Sequence, residues 1–554
     1  MLNSAKGSTS GLSLGVILLL CACGDSKTST ELAYTPQPPE PVVIHTDVQT
    51  TAGVVRGTMD DEGLKQYHGI PYAAPPVGKL RWAPPVAPAA WADVKNATQP
   101  GPACMQPSGQ GGSFYGRSDI AMSEDCLFLN VWTRADTTND ALPVMVWIHG
   151  GALVTGSGDA YPGDAITQKG VVLVTINYRL GRFGFHAHTE LSEEHPKGVS
   201  GNQGLRDQIL ALEWVRDNIT QFGGDPHNVT IFGESAGSLS VSLLQASPLA
   251  KGLFHRVIGQ SGGAFQPMWF RDRETSYAAS AYSLGASFAS ALAGDSMDTN
   301  LSNLRTLSAQ QVLETFQSKP EFSNYDSLAI VDGDVIPAEV SEIFAAGKQA
   351  DVPVMIGSNA DEGSTFLEFF EPIFGEGAEG FNAYAQATLP EVADDIDTVY
   401  PQSADNRAWV DLFSDVLFTH PMRVWARSMA NVESDAYLYW FTWAPPVPDQ
   451  EKYGAFHAAE IGYVFGIPDM FGATPTEADH EFSDFMTTVW TQFAKTGNPN
   501  GPGLPEWPVY SADTEAYMEL GADTGSKAEL RIGQTDLIEQ AWTQRRNGET
   551  AIGE

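Results

Sequence analysis

The stretch VTIFGESAGSLS, residues 229–240, joins a strand-forming run to a helix-forming run through one serine. That serine, Ser235, lies between Gly233 and Gly237 in the spacing G-x-S-x-G. A sharp turn from strand to helix strains the serine backbone, so the neighbouring residues must be small to avoid collision. The stretch therefore predicts a nucleophile elbow, in which the serine hydroxyl is presented at the end of a sheet.

Short apolar runs rich in β-branched and aromatic residues recur along the chain, and these are LPVMVWIHG, VVLVTINYR, NVTIFGES, RVIGQSGG, VPVMIGSN and AYLYWFTW. Runs that are apolar on both faces are typical of strands buried in a parallel sheet. Between the second and third runs the sequence predicts a helix whose apolar face is formed by Leu205, Ile209, Leu212 and Ile219. Gly223 and Gly224 are expected to end it. Strand, helix and strand in this order predict an α/β fold, with a mostly parallel, doubly wound sheet and helices on both faces.

The composition is that of a globular protein. Of the 554 residues, 42% are hydrophobic and 18% are charged. The chain has 31 basic and 68 acidic residues, which gives a net charge of -37. This charge argues against binding to the phosphates of a nucleic acid, and it is typical of a solvated acidic surface. No repeat and no linker interrupts the chain after about residue 45, so residues 45–554 are predicted to form a single domain.

The first residues resemble an export signal. Residues 1–23 hold one lysine and then a short apolar stretch that ends in LLLCACG, similar to a bacterial lipobox with Cys23 as the lipidated residue. Residues 24–44 are polar and proline-rich, which is typical of a flexible tether. We therefore expect a periplasmic or cell-envelope protein, held to a membrane only by its N-terminal lipid. The alternative is a plain signal peptide whose cysteine is incidental.

Two cysteines remain within the predicted domain. Cys104 and Cys126 are expected to form a disulfide in an oxidising compartment, which would stabilise the fold by about 3 kcal/mol. The alternative is a pair of free buried thiols.

A serine hydroxyl is a weak nucleophile, and it needs a histidine to take its proton and a carboxylate to orient that histidine. In elbow folds the chain order is serine, acid, histidine. His457 follows the run AYLYWFTW by a loop, which suits a mobile base. Three other histidines are less suitable, one too close to the serine, one in a helical segment and one in an acidic segment: His255, His420 and His480.

Two adjacent carboxylates are candidates for the acid. Asp361 and Glu362 both follow the run VPVMIGSN, and catalytic groups gather beyond the carboxyl ends of strands in open α/β sheets. The residues alone do not separate the two.

A series of ordered motifs resembles one family, the type-B carboxylesterases, which are the cholinesterase-like branch of the α/β-hydrolases. The motifs are SEDCLFLNVW, WIHGGALVTGSG, NYRLGRFGF, GNQGLRDQ, FGGDPHNVTIFGESAG, VDGDVIP and GSNADEGSTF. The resemblance covers nearly the whole chain after the tether. It implies Ser235 as nucleophile, Glu362 as the acid and His457 as the base.

The same resemblance implies further roles. The backbone N–H groups of Gly151, Ala152 and Ala236 would form an oxyanion hole, each donor being worth roughly 3 kcal/mol of transition-state stabilisation. Ala152 departs from the commoner third glycine, and its methyl group would narrow or reorient the leaving-group side. Glu234 matches a family acid near the pocket floor.

For Glu234 three roles are open: it would tune His457, favour a cationic substrate, or complete a buried hydrogen-bond network, and we favour the last. The resemblance also pairs Cys104 with Cys126, and it implies two structural ion pairs, Arg81 with Glu124 and Arg179 with Asp207.

The segment between the cysteines lacks the tryptophan with which cholinesterases bind quaternary ammonium. A choline ester is therefore a poor candidate substrate, although Tyr115 would substitute weakly for that tryptophan.

The expected function is hydrolysis of small to medium carboxylic esters by a Ser-His-Glu triad through an acyl-enzyme, with no cofactor and no metal. One alternative is a lipase or amidase that uses the same triad. Another is a non-catalytic cholinesterase-like binding protein, which the three competent side chains argue against. The sequence does not indicate the natural ester or the oligomeric state.

Overall fold

The fold is built on one large sheet, seen in a computed structural model that describes residues 46–107, 120–323, 328–402 and 406–552. All of these residues belong to one compact unit. The predicted signal at residues 1–23, with Cys23, and the predicted tether at residues 24–44 lie outside the described residues, as does Tyr115.

The strands are β1 Asp47–Gln49, β2 Val54–Arg56, β3 Thr58–Met59, β4 Lys65–Pro71, β5 Lys95–Asn96, β6 Ala103–Cys104, β7 Met122–Ser123, β8 Phe128–Thr133, β9 Leu142–Ile148, β10 Val172–Ile176, β11 Gly224–Glu234, β12 Arg256–Gln260, β13 Trp269–Phe270, β14 Ile330–Val331, β15 Val354–Asn359, β16 Ala436–Phe441, β17 Ala516–Leu520 and β18 Gly525–Ala528.

The α-helices are α1 Asp164–Gln168, α2 Gly181–Gly184, α3 Thr189–Glu194, α4 Gln203–Asn218, α5 Ala236–Ala246, α6 Ala281–Ala293, α7 Leu301–Leu304, α8 Ala309–Gln317, α9 Pro320–Ser323, α10 Val340–Ala345, α11 Leu367–Phe374, α12 Gly377–Thr388, α13 Arg407–Ser414, α14 His420–Ser428, α15 Gln450–Tyr453, α16 Ala459–Val464, α17 Glu477–Thr496 and α18 Ile532–Ile552.

The large sheet has eleven strands in the order β18-β17-β16-β15-β12-β11-β9-β10-β8-β4-β3. The neighbouring strands from β17 to β10 run parallel, while β18 at one edge and β8, β4 and β3 at the other are antiparallel. Each of the six apolar runs singled out in the sequence forms one of these parallel strands, which confirms the predicted sheet. The helix predicted between the second and third runs is α4, and Gly223 ends its 3₁₀ extension at φ 78°.

Alternate residues of the central strands pack against helices on opposite faces. On β11, Ile231 belongs to a core shared with α4, α5, α10 and α14, while Phe232 belongs to a core shared with α16 and α17. Both side chains are fully buried, and burial of each contributes about 1.5–3 kcal/mol. The sheet is therefore covered on both faces, and the free space for a site lies beyond the strand ends.

Both structural ion pairs that the resemblance implied are present. Arg179 and Asp207 are buried and joined by two guanidinium–carboxylate hydrogen bonds, of 2.8 and 2.7 Å. Arg81 and Glu124 are joined in the same way at 2.6 Å. A disulfide links Cys104 and Cys126. Among the described residues, no helix is both long and apolar enough to cross a membrane.

Candidate active site

Ser235 lies at the turn between β11 and α5, with φ 56° and ψ -120°. A positive φ is unusual for a residue with a side chain and costs about 1–3 kcal/mol, so the surroundings must hold it in place. Its N–H donates to the carbonyl of Gln260 on β12 at 2.8 Å, and its own carbonyl accepts from the N–H of Leu239 at 2.9 Å. Ser235 is partly exposed, whereas the residues on either side of it are buried.

The two glycines of the G-x-S-x-G motif are required by contacts with β9. A Cβ atom on Gly237 would lie 2.0 Å from the carbonyl oxygen of Ile148, and one on Gly233 would lie 2.6 Å from the same oxygen. Any side chain at either position would push α5 away from the sheet. This close approach is the physical reason for the spacing around Ser235.

Glu362 opens a 3₁₀ turn, Glu362–Thr365, just beyond the end of β15. Its carboxylate is fully buried, and its Oε1 accepts the N–H of Asn359 at 2.7 Å. Its Oε2 lies 2.6 Å from Nδ1 of His457, which follows β16 by a loop. The structure thus brings together the carboxylate and the imidazole that the resemblance implied.

Asp361, the other candidate acid, is directed elsewhere. Its Oδ2 accepts the N–H of Ala455 at 2.8 Å, and its Oδ1 pairs with the guanidinium of Arg407. These contacts fasten the loop that leads to His457, so Asp361 supports the loop while its neighbour Glu362 contacts the imidazole.

Two of the less suitable histidines are engaged at other places. Nδ1 of His255 accepts the N–H of Val229 at 3.2 Å. Nε2 of His420 lies 2.8 Å from a carboxylate oxygen of Glu539. Neither contact involves Ser235.

Glu234 contacts the second nitrogen of the same imidazole. Its Oε1 lies 3.1 Å from Nε2 of His457, and both side chains are almost fully buried. Burial alone would lower the pKa of His457, but the negative charges of Glu234 and Glu362 outweigh it and raise that pKa to about 9.

The glycine-rich loop after β9 carries the residues implied for the oxyanion hole. Gly151 and Ala152 have φ 96° and 56°, so alanine adopts here a conformation that favours glycine. Among the described residues, neither N–H donates to a protein acceptor. The N–H of Ala236 lies in the first turn of α5, which a helix leaves free of internal partners.

This loop is held against Ser235 by close packing. A Cβ atom on Gly150 would lie 2.8 Å from the carbonyl oxygen of Glu234 and 3.2 Å from the Cβ of Ser235. The loop is also fixed from outside, because the side-chain amide of Gln106 makes two 2.9 Å hydrogen bonds with the N–H and the carbonyl of Gly156. Ala152 itself is exposed.

The profile of the carboxylesterase family matches residues 44–537, most of the chain. The chain belongs to the carboxylesterase family. It is similar to para-nitrobenzyl esterase of Bacillus subtilis, with 36% identity over 86% of this chain and 95% of that protein. It is similar as well to fumonisin B1 esterase of Sphingopyxis macrogoltabida, with 35% identity over 87% of this chain and 88% of that protein.

Similar solved structures support this family assignment. A carboxylesterase of Geobacillus stearothermophilus has a TM-score of 0.77 at 32% identity, covering 90% of this chain and all of that one. A thermophilic para-nitrobenzyl esterase has the same TM-score at 34% identity, covering 89% of this chain and all of that one. The protein is thus a type-B carboxylesterase with the α/β-hydrolase fold, and it acts on esters.

Sequence reasoning did not identify a third carboxyl group beside the imidazole. Glu460 is fully buried, and its two oxygens accept from the side-chain amides of Gln260 at 3.0 Å and Asn359 at 2.6 Å. Burial, with the charge of Glu362, raises the pKa of Glu460. Its place three residues after His457 is the one signal in the sequence that could have drawn attention to it.

Proposed function

We propose that this carboxylesterase hydrolyses esters through a Ser235-His457-Glu362 triad and a covalent acyl-enzyme. The observation that carries the proposal is the 2.6 Å contact between Glu362 Oε2 and His457 Nδ1. This contact leaves Nε2 as the nitrogen that exchanges protons with a substrate or nucleophile. Nε2 contacts Glu234, the residue that directly precedes Ser235, so it faces the turn that carries the hydroxyl.

In the first half-reaction, Oγ of Ser235 attacks the ester carbonyl and its proton passes to Nε2 of His457. The carbonyl oxygen becomes an oxyanion, which accepts hydrogen bonds from the N–H groups of Gly151, Ala152 and Ala236. The bond to the alcohol then breaks, and the imidazolium returns the proton to the leaving oxygen. In the second half-reaction, water repeats the sequence and frees the acid.

Esters of small to medium size are the proposed substrates, and the similar proteins named as esterases support ester hydrolysis itself. A lipase or amidase that uses the same residues would differ only in the shape of its pocket. The non-catalytic alternative is disfavoured, because the chain carries serine, histidine and glutamate at the three positions that the family resemblance assigns to the triad.

The test is a titration of active sites with a p-nitrophenyl carbamate, whose carbamoyl-enzyme hydrolyses slowly. The proposal expects release of about one equivalent of p-nitrophenol per chain, with the added mass on the peptide that contains Ser235. A panel of p-nitrophenyl esters, from acetate upward, would then define the preferred acyl length. Turnover of no ester in the panel, with no labelled peptide, would favour the binding-protein alternative.

The Glu234→Gln variant should shift the pH dependence of the reaction to lower pH. Only the neutral imidazole can take the serine proton, and the negative charge of Glu234 favours the protonated form. Removing that charge lowers the pKa of His457, so the acid limb of kcat/KM should move down by about one unit. Profiles of the native enzyme and the variant on p-nitrophenyl acetate measure this shift. An unmoved acid limb would mean that Glu234 only completes a buried polar network.

We also propose that the enzyme is anchored in the cell envelope by a lipid on Cys23. The lipobox-like end of the apolar N-terminal stretch supports this location. In Triton X-114 phase separation of the full chain expressed in a bacterial host, native protein should enter the detergent phase and the Cys23→Ala variant should not. Equal partitioning of the two would contradict the anchor.

A further inference from the structure

The face of the His457 imidazole is covered by an aromatic ring. The ring centroids of Phe418 and His457 are 4.4 Å apart, with their planes inclined at 30°. Phe366 contacts the same imidazole at 5.2 Å and 53°. Phe418 is almost fully buried, so its ring is surrounded by protein.

Phe418 is presented by an unusual backbone segment. It belongs to a π-helical turn, Asp415–Thr419, between α13 and α14. Such single turns often occur at functional sites, because the extra residue redirects the side chains that follow. Here the turn aims a phenylalanine at the imidazole.

The π-helical turn is fixed to the segment that carries Glu362. The hydroxyl of Ser414, just before the turn, accepts the N–H of Gly363 at 2.9 Å and donates to the carbonyl of Val410 at 2.6 Å. At the start of the turn, the fully buried Asp415 accepts from the hydroxyl of Tyr400 and from the guanidinium of Arg531, both at 2.8 Å. The segments that carry Glu362 and Phe418 are therefore joined by hydrogen bonds.

Three carboxyl groups and two aromatic rings lie around the imidazole, and of the two rings Phe418 is the nearer and the more nearly parallel. Glu234 and Glu362 contact its two nitrogens, and Glu460 lies nearby as a third source of negative charge. An aromatic face carries negative quadrupole charge and attracts a cation within about 6 Å of its centroid. The imidazole becomes such a cation each time it takes a proton from serine or water.

We propose that Phe418 is a positioning residue for His457, which holds the imidazole against Glu362 and stabilises its protonated form through its aromatic face. This rests on the proposed function, because the protonated form is the one that arises during catalysis. The prediction is a change in a property of His457 itself, which can be measured without turnover.

The experiment compares Phe418→Leu with Phe418→Trp and with a control, Phe381→Leu, in protein labelled with 13C-histidine. Phe381, on α12, is buried in the same hydrophobic cluster as Phe418, so the control loses a similar apolar area. The Cε1–H signal of His457, assigned by its loss in His457→Gln, is followed from about pH 5 to about pH 11. Melting curves show that each variant is folded, and Phe418→Met replaces Phe418→Leu if the latter does not fold.

In Phe418→Leu the titration midpoint of His457 should fall by about half a unit, which is the scale of a partly buried cation–π contact. Phe418→Trp and Phe381→Leu should keep the native midpoint. In parallel, kcat on p-nitrophenyl acetate should fall about tenfold in Phe418→Leu with little change in KM.

An unchanged midpoint in Phe418→Leu, or an equal change in Phe381→Leu, overturns the inference. Because the titration needs no substrate, a failure of ester hydrolysis would count against the proposed function while leaving this result to be judged separately.

Discussion

Replacement of Ser235 by alanine is expected to lower kcat for p-nitrophenyl esters by about a millionfold, the scale seen when a triad nucleophile is removed. In the proposed mechanism the hydroxyl oxygen of Ser235 forms the acyl-enzyme, and Ser235 is the partly exposed residue at the turn between β11 and α5. The residual rate would come from binding and the oxyanion hole alone. Stopped-flow and long-time assays on the same ester measure both rates.

The matched control is Ser290→Ala. Ser290 lies on α6, where its exposed hydroxyl donates to the carbonyl of Ala286 at 2.9 Å, and its loss should leave kcat within about twofold of native. A Ser235→Ala variant that folds like the native protein and keeps more than about a hundredth of the activity would disprove the proposed nucleophile.

The second large effect is expected for Glu362→Gln, with a loss of about ten-thousandfold in kcat at neutral pH. A glutamine amide can present either its NH₂ group or its oxygen to Nδ1 of His457. It cannot supply the negative charge that stabilises the imidazolium, and with its NH₂ group toward Nδ1 it favours the wrong tautomer. The variant keeps the shape of the side chain, so the fold should survive.

The adjacent carboxylate offers a control that differs by one position in the chain. In Asp361→Asn the side-chain oxygen still accepts the N–H of Ala455, and only the ion pair with Arg407 is weakened. Surface ion pairs of this kind contribute about 0–1 kcal/mol, so kcat should fall by less than about tenfold. Similar losses of kcat in Asp361→Asn and Glu362→Gln would contradict the assignment of Glu362 alone as the acid of the triad.

The parallel sheet could be predicted from the sequence because its strands are apolar on both faces. Residues such as Ile231 and Phe232 face opposite layers of helices, and this leaves continuous apolar runs that few other elements produce. The order of the strands across the sheet has no such local signal, since it depends on which crossovers form.

The G-x-S-x-G spacing by itself does not identify the nucleophile. GQSGG, residues 259–263, has the same spacing around Ser261, which also has a positive φ, of 58°. Ser261 is fully buried, however, and no α-helix begins directly after it, whereas α5 begins at Ala236. The strand before and the helix after Ser235 were therefore the informative part of the pattern.

The choice between Asp361 and Glu362 could not be made from local sequence, because both follow β15 and carry the same charge. The turn after the strand directs one side chain toward His457 and the other toward Ala455, and that direction depends on a loop about 95 residues further along the chain. The contact of Phe418 with His457 could not be predicted either, since the π-helical turn that carries Phe418 has no recognised sequence pattern.

The disulfide between Cys104 and Cys126 has a consequence for the chemistry as well as for the fold. Gln106, two residues after Cys104, is the side chain that holds Gly156 and with it the loop that carries the proposed oxyanion donors. We expect reduction of the disulfide to loosen the segment that carries Gln106, and with it this loop, so that the catalytic rate depends on the redox potential of the compartment. Protein made in a reducing cytoplasm would then fold around the same sheet yet turn over more slowly than protein exported to an oxidising space.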